Sequence, residues 1–154
     1  MSGNIRWGRE DATDAEVVAA SEIAQAAEFI GKFADGYETF VAEKGASLSG
    51  GQKQRMSIAR AIARRPEILI LDDATSALDL ATEAKLRGAL NKAMQDTTVI
   101  LIAQRIASVR GADRIAVLEG GRIVACAPHD ELMQTSPTYR EIYASQLERG
   151  GATV

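Results

Sequence analysis

Apolar positions along this chain follow two rhythms, a helical spacing in some stretches and unbroken short runs in others. Behind Thr13 and Glu16, a capping-box pair, Ala19, Ile23, Ala26, Ile30 and Phe33 fall at i, i+4, i+7, i+11 and i+14. That spacing predicts one amphipathic helix of about five turns, ended by the Asp35-Gly36 turn. Ser49 and Gln52 make a second capping box, and from Gly50 to about Arg65 the positions Met56, Ala59, Ile62 and Ala63 form an inward stripe until Pro66 stops the helix. A third stripe, Leu86, Ala89, Leu90, Ala93 and Met94, follows the turn at Asp79. Ile68 to Leu71 and Thr97 to Ala103 are too short and too uniformly apolar for surface elements, so they read as buried parallel strands joined through the third helix in a right-handed βαβ unit. Asp113 to Glu119 and Arg122 to Ala127 flank Gly120-Gly121, a two-residue hairpin signal. A short helix, Asp130 to Gln134, and a last one, Pro137 to Leu147 with Tyr139, Ile142, Tyr143 and Leu147 on one face, end the pattern. Residues 1–12, polar and Gly-containing, read as an irregular lead-in that packs Trp7.

Composition narrows the partners. With 154 residues, 46% of them hydrophobic, the chain has the size of one domain and enough apolar surface for a core. Eighteen basic against 21 acidic residues leave a net charge of −3 and no basic block. That argues against nucleic acid or an anionic membrane surface and for protein and nucleotide. Cys126 alone excludes an internal disulfide or a Cys-based zinc cluster and fits a reducing compartment. No apolar run approaches the roughly 20 residues that cross a bilayer, and no signal-peptide core is present, so the polypeptide as it stands is expected to be soluble.

The chemistry gathers around Ser47-Leu-Ser-Gly-Gly-Gln-Lys-Gln-Arg55 and the carboxylate pair Asp72 and Asp73. A helix capped at Ser49 presents its first N–H groups and positive dipole end to an anion, Gly50 and Gly51 let a phosphate come close, and Ser49 and Gln52 add side-chain donors. Asp72, at the end of a strand read as buried, needs a partner, since an unpaired buried carboxylate is costly.

The words Leu48-Ser-Gly-Gly-Gln52, Ile68-Leu-Ile-Leu-Asp72, Ser76-Ala-Leu-Asp79 and Ile102-Ala-Gln-Arg105, in this order, resemble the C-terminal part of an ABC-transporter nucleotide-binding domain, exporter type: signature motif, Walker B, D-loop and switch loop. The resemblance runs from Asn4 to about Leu147. It implies an α/β fold, a partial P-loop ATPase (RecA-like) core with a parallel sheet plus the ABC helical subdomain. Residues 1–65 would be the helical, signature-bearing subdomain and 66–154 the C-terminal part of the core. It further implies ATP and Mg²⁺ as ligands in an intact domain, with Asp72 on the metal, Ser49, Gly50, Gly51, Gln52 and Asp79 on nucleotide, and Asp73 and Gln104 at the catalytic positions. The implied partners are a second nucleotide-binding domain and the coupling helices of a transmembrane domain, touched through Thr39-Phe-Val-Ala-Glu-Lys-Gly45, where Ala42 and Lys44 depart from the family's pattern. The implied location is the cytoplasmic face of a membrane.

Three departures qualify the resemblance. Asp73 stands where the family's ATPases usually carry Glu; its carboxylate falls about 1.5 Å short, and misplacement of about 1 Å can cost about a hundredfold in rate. Gln104 replaces the switch-loop His and donates only a neutral hydrogen bond. This pair with an intact signature resembles the degenerate half of a heterodimeric exporter, whose Ser49, Gly51 and Gln52 serve the partner's competent site. Finally, no G-x-x-x-x-G-K-[ST] segment occurs, the Walker A half of the core being absent, so the chain reads as an expressed fragment or the product of a truncated gene and is expected to bind ATP and Mg²⁺ weakly or not at all and not to hydrolyse ATP alone. Without the Walker A strand, the strand Thr97 to Ala103 is expected to expose an edge that drives rearrangement, strand exchange or dimerisation. His129, the one histidine, matches no catalytic position and reads as a surface or capping residue. The alternative from another class is a non-enzymatic interaction or dimerisation module. The superfamily's DNA-working branch is disfavoured, because no coiled-coil insertion separates signature from Walker B and no basic stripe exists.

Overall fold

Eight α-helices and four strands occur among the described residues of the computed structural model, which describes the backbone of residues 1–150 and side chains as far as Leu147. Two compact units divide the chain, Met1–Ile102 and a second beginning at Ala103.

In the first unit everything is arranged about helix α4 (Gly50–Ala63). Its capping box is formed, Gln52 N–H donating to Ser49 Oγ and Ser49 N–H to the Gln52 side chain. The predicted stripe Met56, Ala59, Ile62 and Ala63 is buried together with Ile58. Helices α1 (Ser2–Arg6) and α2 (Asp14–Ile23) pack on it. Residues 1–12 are therefore not an irregular lead-in: Ile5 is fully buried, whereas Trp7 is 74% exposed rather than packed. A five-residue helix is too short to display a period. Its seat is made by Gly8, where a Cβ would lie 2.1 Å from the Arg60 carbonyl oxygen, and by Arg60, which donates to the Asn4 carbonyl at 3.1 Å and to Asn4 Oδ1 at 2.6 Å and lies 5.5 Å from the Trp7 ring centre.

The predicted helix through Phe33 is broken. Helix α2 ends at Ile23 and a short α3 (Ala27–Ile30) follows. Between them Gln25 takes φ 59°, the Ala26 N–H bonds the Ser21 carbonyl at 2.7 Å and the Gln25 N–H bonds that of Glu22 at 3.0 Å. That is a Schellman helix end with Gln where glycine is usual, so the stop carries no glycine to announce it.

Strand β1 (Ile68–Asp72), helix α5 (Leu80–Ala93) and strand β2 (Thr98–Ile102) form the expected parallel pair through a helical crossover, in register from Ile68↔Thr98 to Asp72↔Ile102. The strands are not buried on both faces, however. Leu69 and Leu71 enter the core with Leu86 and Leu90, while Ile68, Ile70, Ile100 and Ile102 are exposed. Within this unit only one face of the pair is covered, and β2 pairs with β1 alone among the described residues.

The second unit holds a four-residue helix α6 (Ile106–Val109), the antiparallel strands β3 (Ile115–Glu119) and β4 (Arg122–Ala127), and helices α7 (His129–Thr135) and α8 (Pro137–Gly150). Gly120 and Gly121 take φ 56° and 75°, the two positive values that a type I′ hairpin needs. Ile106, Ile115, Val117, Ala127, Leu132 and Tyr139 form its core. His129 is half-buried rather than a plain surface residue, its Nδ1 2.8 Å from the Tyr139 hydroxyl. No helix among the described residues is long and apolar enough to cross a membrane.

Candidate functional site

The Ser49 turn begins with Leu48, which is buried and anchors it, and then Ser49 and Gly50 are exposed. Reciprocal bonding within the capping box occupies the N–H groups of Ser49 and Gln52. The N–H groups of Gly50 and Gly51 are left at the positive end of a 14-residue helix, with the Ser49 hydroxyl proton and the Gln52 NH₂ beside them. This arrangement suits an anion.

The two glycines differ in what they permit. A Cβ on Gly50 would sit at an ordinary 3.6 Å from the Ala77 methyl, whereas one on Gly51 would sit 2.9 Å from the Ala77 carbonyl oxygen. The bare Cα of Gly51 therefore admits the loop that follows β1, not a phosphate, and Gly51 reaches an anion only through its N–H.

That loop is tied to α4 by Gln54. Its Nε2 donates to Ser76 Oγ at 2.9 Å and to the Asp73 carbonyl at 3.4 Å, and its Oε1 accepts the Ala77 N–H at 2.9 Å. Ser76 Oγ in turn donates to the Asp73 carbonyl at 3.0 Å. Sequence reasoning gave Gln54 no role although it lies inside the signature stretch; a glutamine whose amide bonds a distant loop leaves no periodic trace. Arg55, equally unassigned, donates to the Gln25 carbonyl at 2.8 Å and the Gly51 carbonyl at 3.3 Å and lies 4.8 Å from the Phe29 ring centre. The turn, the loop and the α2 end are thus bonded together.

Asp72, at the end of β1, is exposed, which removes the argument that burial demands a partner for it. Asp73 is exposed too, with φ 48° and its N–H on the Ile102 carbonyl at 3.0 Å. A left-handed backbone tolerates Asp better than longer residues, which suits Asp at this position. Asp79 caps α5, accepting from the Thr82 N–H at 2.9 Å and Thr82 Oγ1 at 2.7 Å, and these bonds hold its carboxyl below the usual range. The structure thus brings Ser49, Gly50, Gly51, Gln52, Asp72, Asp73 and Asp79 into one unit. Gln104, exposed, belongs to the second unit, on the segment before α6.

No group of three or more His, Cys, Asp or Glu suited to a metal occurs among the described residues. The donor set fits a hydrated Mg²⁺ held through one carboxylate and a ligand's own oxygens, and not an all-protein cage. Elsewhere in the first unit a groove of about 700 Å³, lined by Trp7, Tyr37, Phe40, Val41 and Met56 among others, runs between α1 and residues 37–45, with Phe40 85% exposed at its rim.

Residues 4–76 match the family described as "ABC transporter". The "Mitochondrial potassium channel ATP-binding subunit" of Pongo abelii is 48% identical over 143 residues, covering 93% of this chain and 20% of that protein. The "Uncharacterized ABC transporter ATP-binding protein YfiB" of Bacillus subtilis (strain 168) is 47% identical over 149 residues, covering 97% of this chain and 26% of that protein. Among solved structures, the fold matches a bacterial Atm1-family ABC exporter with ATP bound, with TM-score 0.90 and 40% identity over 94% of this chain and 26% of that one. The chain thus spans about a fifth to a quarter of the length of these relatives.

Proposed function

Since the chain belongs to the ABC transporter family and corresponds to part of the ATP-binding domain of its exporters, we propose that it is the degenerate-site half of a nucleotide-binding pair. Its Ser49 turn takes the phosphates of an ATP held mainly by a second nucleotide-binding domain. The observation that carries this reading is the pair of Gly50 and Gly51 N–H groups left outside the capping-box bonds at the start of α4, on a turn tied down by Gln54 and by buried Leu48. Ser49 and Gln52 then add neutral donors at its rim, and Asp79 stays a helix cap beside the interface.

The chain's own nucleotide site has Asp72 to hold a hydrated Mg²⁺, which when bound supplies charge neutralisation at the phosphates. Asp73 orients the attacking water from too far back, and Gln104 lacks the proton and charge of a histidine, so hydrolysis at this site is slow. Without a Walker A segment the isolated 154 residues turn over no ATP. The groove between α1 and residues 37–45, rimmed by Trp7 and Phe40, suits the coupling helix of a transmembrane domain at the cytoplasmic face.

The test uses the ATP-binding domain of YfiB with the matched stretch replaced by this chain. ATP-Mg²⁺ is expected to drive its pairing, read by light scattering, and Gly50→Asp, which sets a carboxylate against the phosphates, is expected to abolish that response. Pairing that ignores both nucleotide and Gly50→Asp would overturn the reading. It would favour an interaction module instead, for which the exposed Ile68, Ile70 and Ile100 of the β1–β2 pair speak.

A further inference from the structure

We infer that Gln146, on the C-terminal helix α8, is a positioning residue for the segment that carries Gln104. The inference rests on the reading of Gln104 given above. Helix α6 starts behind Arg105, whose side chain makes no cap, so its first N–H depends on a partner from elsewhere. Gln146 provides one: its Oε1 accepts the Ile106 N–H at 2.8 Å, while its Nε2 donates to the Gln104 carbonyl at 2.7 Å. One primary amide thus bridges both sides of Arg105, donor to carbonyl and acceptor to N–H, as a neighbouring strand would.

Both bonds go to the main chain. The clamp is therefore indifferent to which side chain stands at 104 and fixes the backbone from which that side chain leaves. Its base is firm, because α8 packs on α6 and α7 and its Tyr139 is buried, bonded to His129 through the hydroxyl and to Ser136 Oγ through the N–H at 3.2 Å. Ile106 and Tyr139 share one core. The C-terminal helix, far along the chain from every recognised motif, in this way sets the geometry of the switch segment.

Amide exchange and backbone order parameters of the 154-residue chain, without nucleotide, test the clamp with two variants. Gln146→Met keeps the shape and removes both bonds; the Ile106 amide is expected to exchange about tenfold faster and order at Gln104 and Arg105 to fall, with the β3–β4 amides unchanged. Gln146→Glu keeps an acceptor for Ile106 but sets an oxygen against the Gln104 carbonyl; Ile106 is expected to stay protected while Gln104 and Arg105 loosen. Unchanged Ile106 exchange in Gln146→Met would overturn the inference. Unchanged order at Gln104 in Gln146→Glu would overturn it too, leaving Gln146 a helix cap alone. Because no nucleotide is present, the clamp can fail while the ATP reading stands, and the reverse.

Discussion

Gln54 and Ala77, 23 residues apart, are joined by a hydrogen bond of 2.9 Å from the Ala77 N–H to the Gln54 side-chain oxygen, and the Ala77 carbonyl rests against the bare Cα of Gly51. Residues from two separate sequence words are held in one piece by that contact, so the Ser49 turn cannot shift without the loop at residues 73–79. Replacing Gln54 by Met strands the Ala77 N–H and removes the bond to Ser76 Oγ, which keeps its own bond to the Asp73 carbonyl, and is expected to lower stability by about 1–2 kcal/mol. Gly51→Ala, which must push the Ala77 carbonyl away, is expected to cost about 1–3 kcal/mol, whereas Gly50→Ala is expected to be neutral or slightly stabilising. Urea midpoints of the three variants check the ranking, and equal effects of the two glycine changes would contradict it.

At the end of α2, Gln25 holds a left-handed backbone that glycine adopts without cost. Gln25→Gly leaves the backbone carbonyl that Arg55 binds and is expected to stabilise the chain by about 0.5–1 kcal/mol, raising the melting temperature by about 1–4 °C. A fall in melting temperature would mean that the bond from the Gln25 amide to the Glu22 carbonyl outweighs the strain.

Much of this architecture was legible because its signals are local. The Ser49 and Thr13 capping boxes, the α4 stripe and the Gly120-Gly121 hairpin follow from spacing within a few residues, and the parallel pairing of β1 with β2 follows from the order strand, helix, strand. What escaped is tertiary or atypical. A five-residue α1 shows no period, Gln25 stops a helix without glycine, and the uniform apolar run Ile68 to Leu71 conceals that only Leu69 and Leu71 are covered. Gln54 and Gln146 work through amides whose partners lie 19 to 42 residues away, and a single side-chain amide in such a contact leaves no periodic trace in the sequence.

Glu16 is expected to make the first unit sensitive to acid. Its carboxylate accepts the Thr13 N–H and meets Arg9 at 2.6 Å and Arg65 at 2.5 Å, which together lower its pKa from an ordinary 4.5 to about 2. A group whose folded pKa is depressed lends stability above its unfolded value and loses it as pH falls through the folded one. The contribution is therefore full above pH 4.5 and drains away toward about 2. Glu16→Gln is expected to flatten the pH dependence of the melting temperature across that window, and a variant with the unaltered slope would contradict this.

The exposed apolar face of the β1–β2 pair, with β2 paired to β1 alone among the described residues, predicts self-association of the isolated chain. Because β2 is solvated rather than buried, the drive is the apolar face with strand edges to pair, not the cost of stranded polar groups. Light scattering is expected to show concentration-dependent dimers or larger species, and Ile100→Lys to shift them toward monomer. A monodisperse monomer with rapidly exchanging Val99 and Leu101 amides and cooperative unfolding would contradict the prediction.

We propose that Asp73 and Gln104 act on one slow nucleotide site, and ATP turnover of the YfiB chimera carrying this chain tests this most directly. Asp73→Glu alone is expected to restore little, since Gln104 remains and the left-handed backbone at 73 suits the shorter acid. Asp73→Glu with Gln104→His is expected to raise turnover by more than the product of the two single gains, as for groups acting on one reacting centre. Two independent gains that simply multiply in the double variant would contradict a shared site.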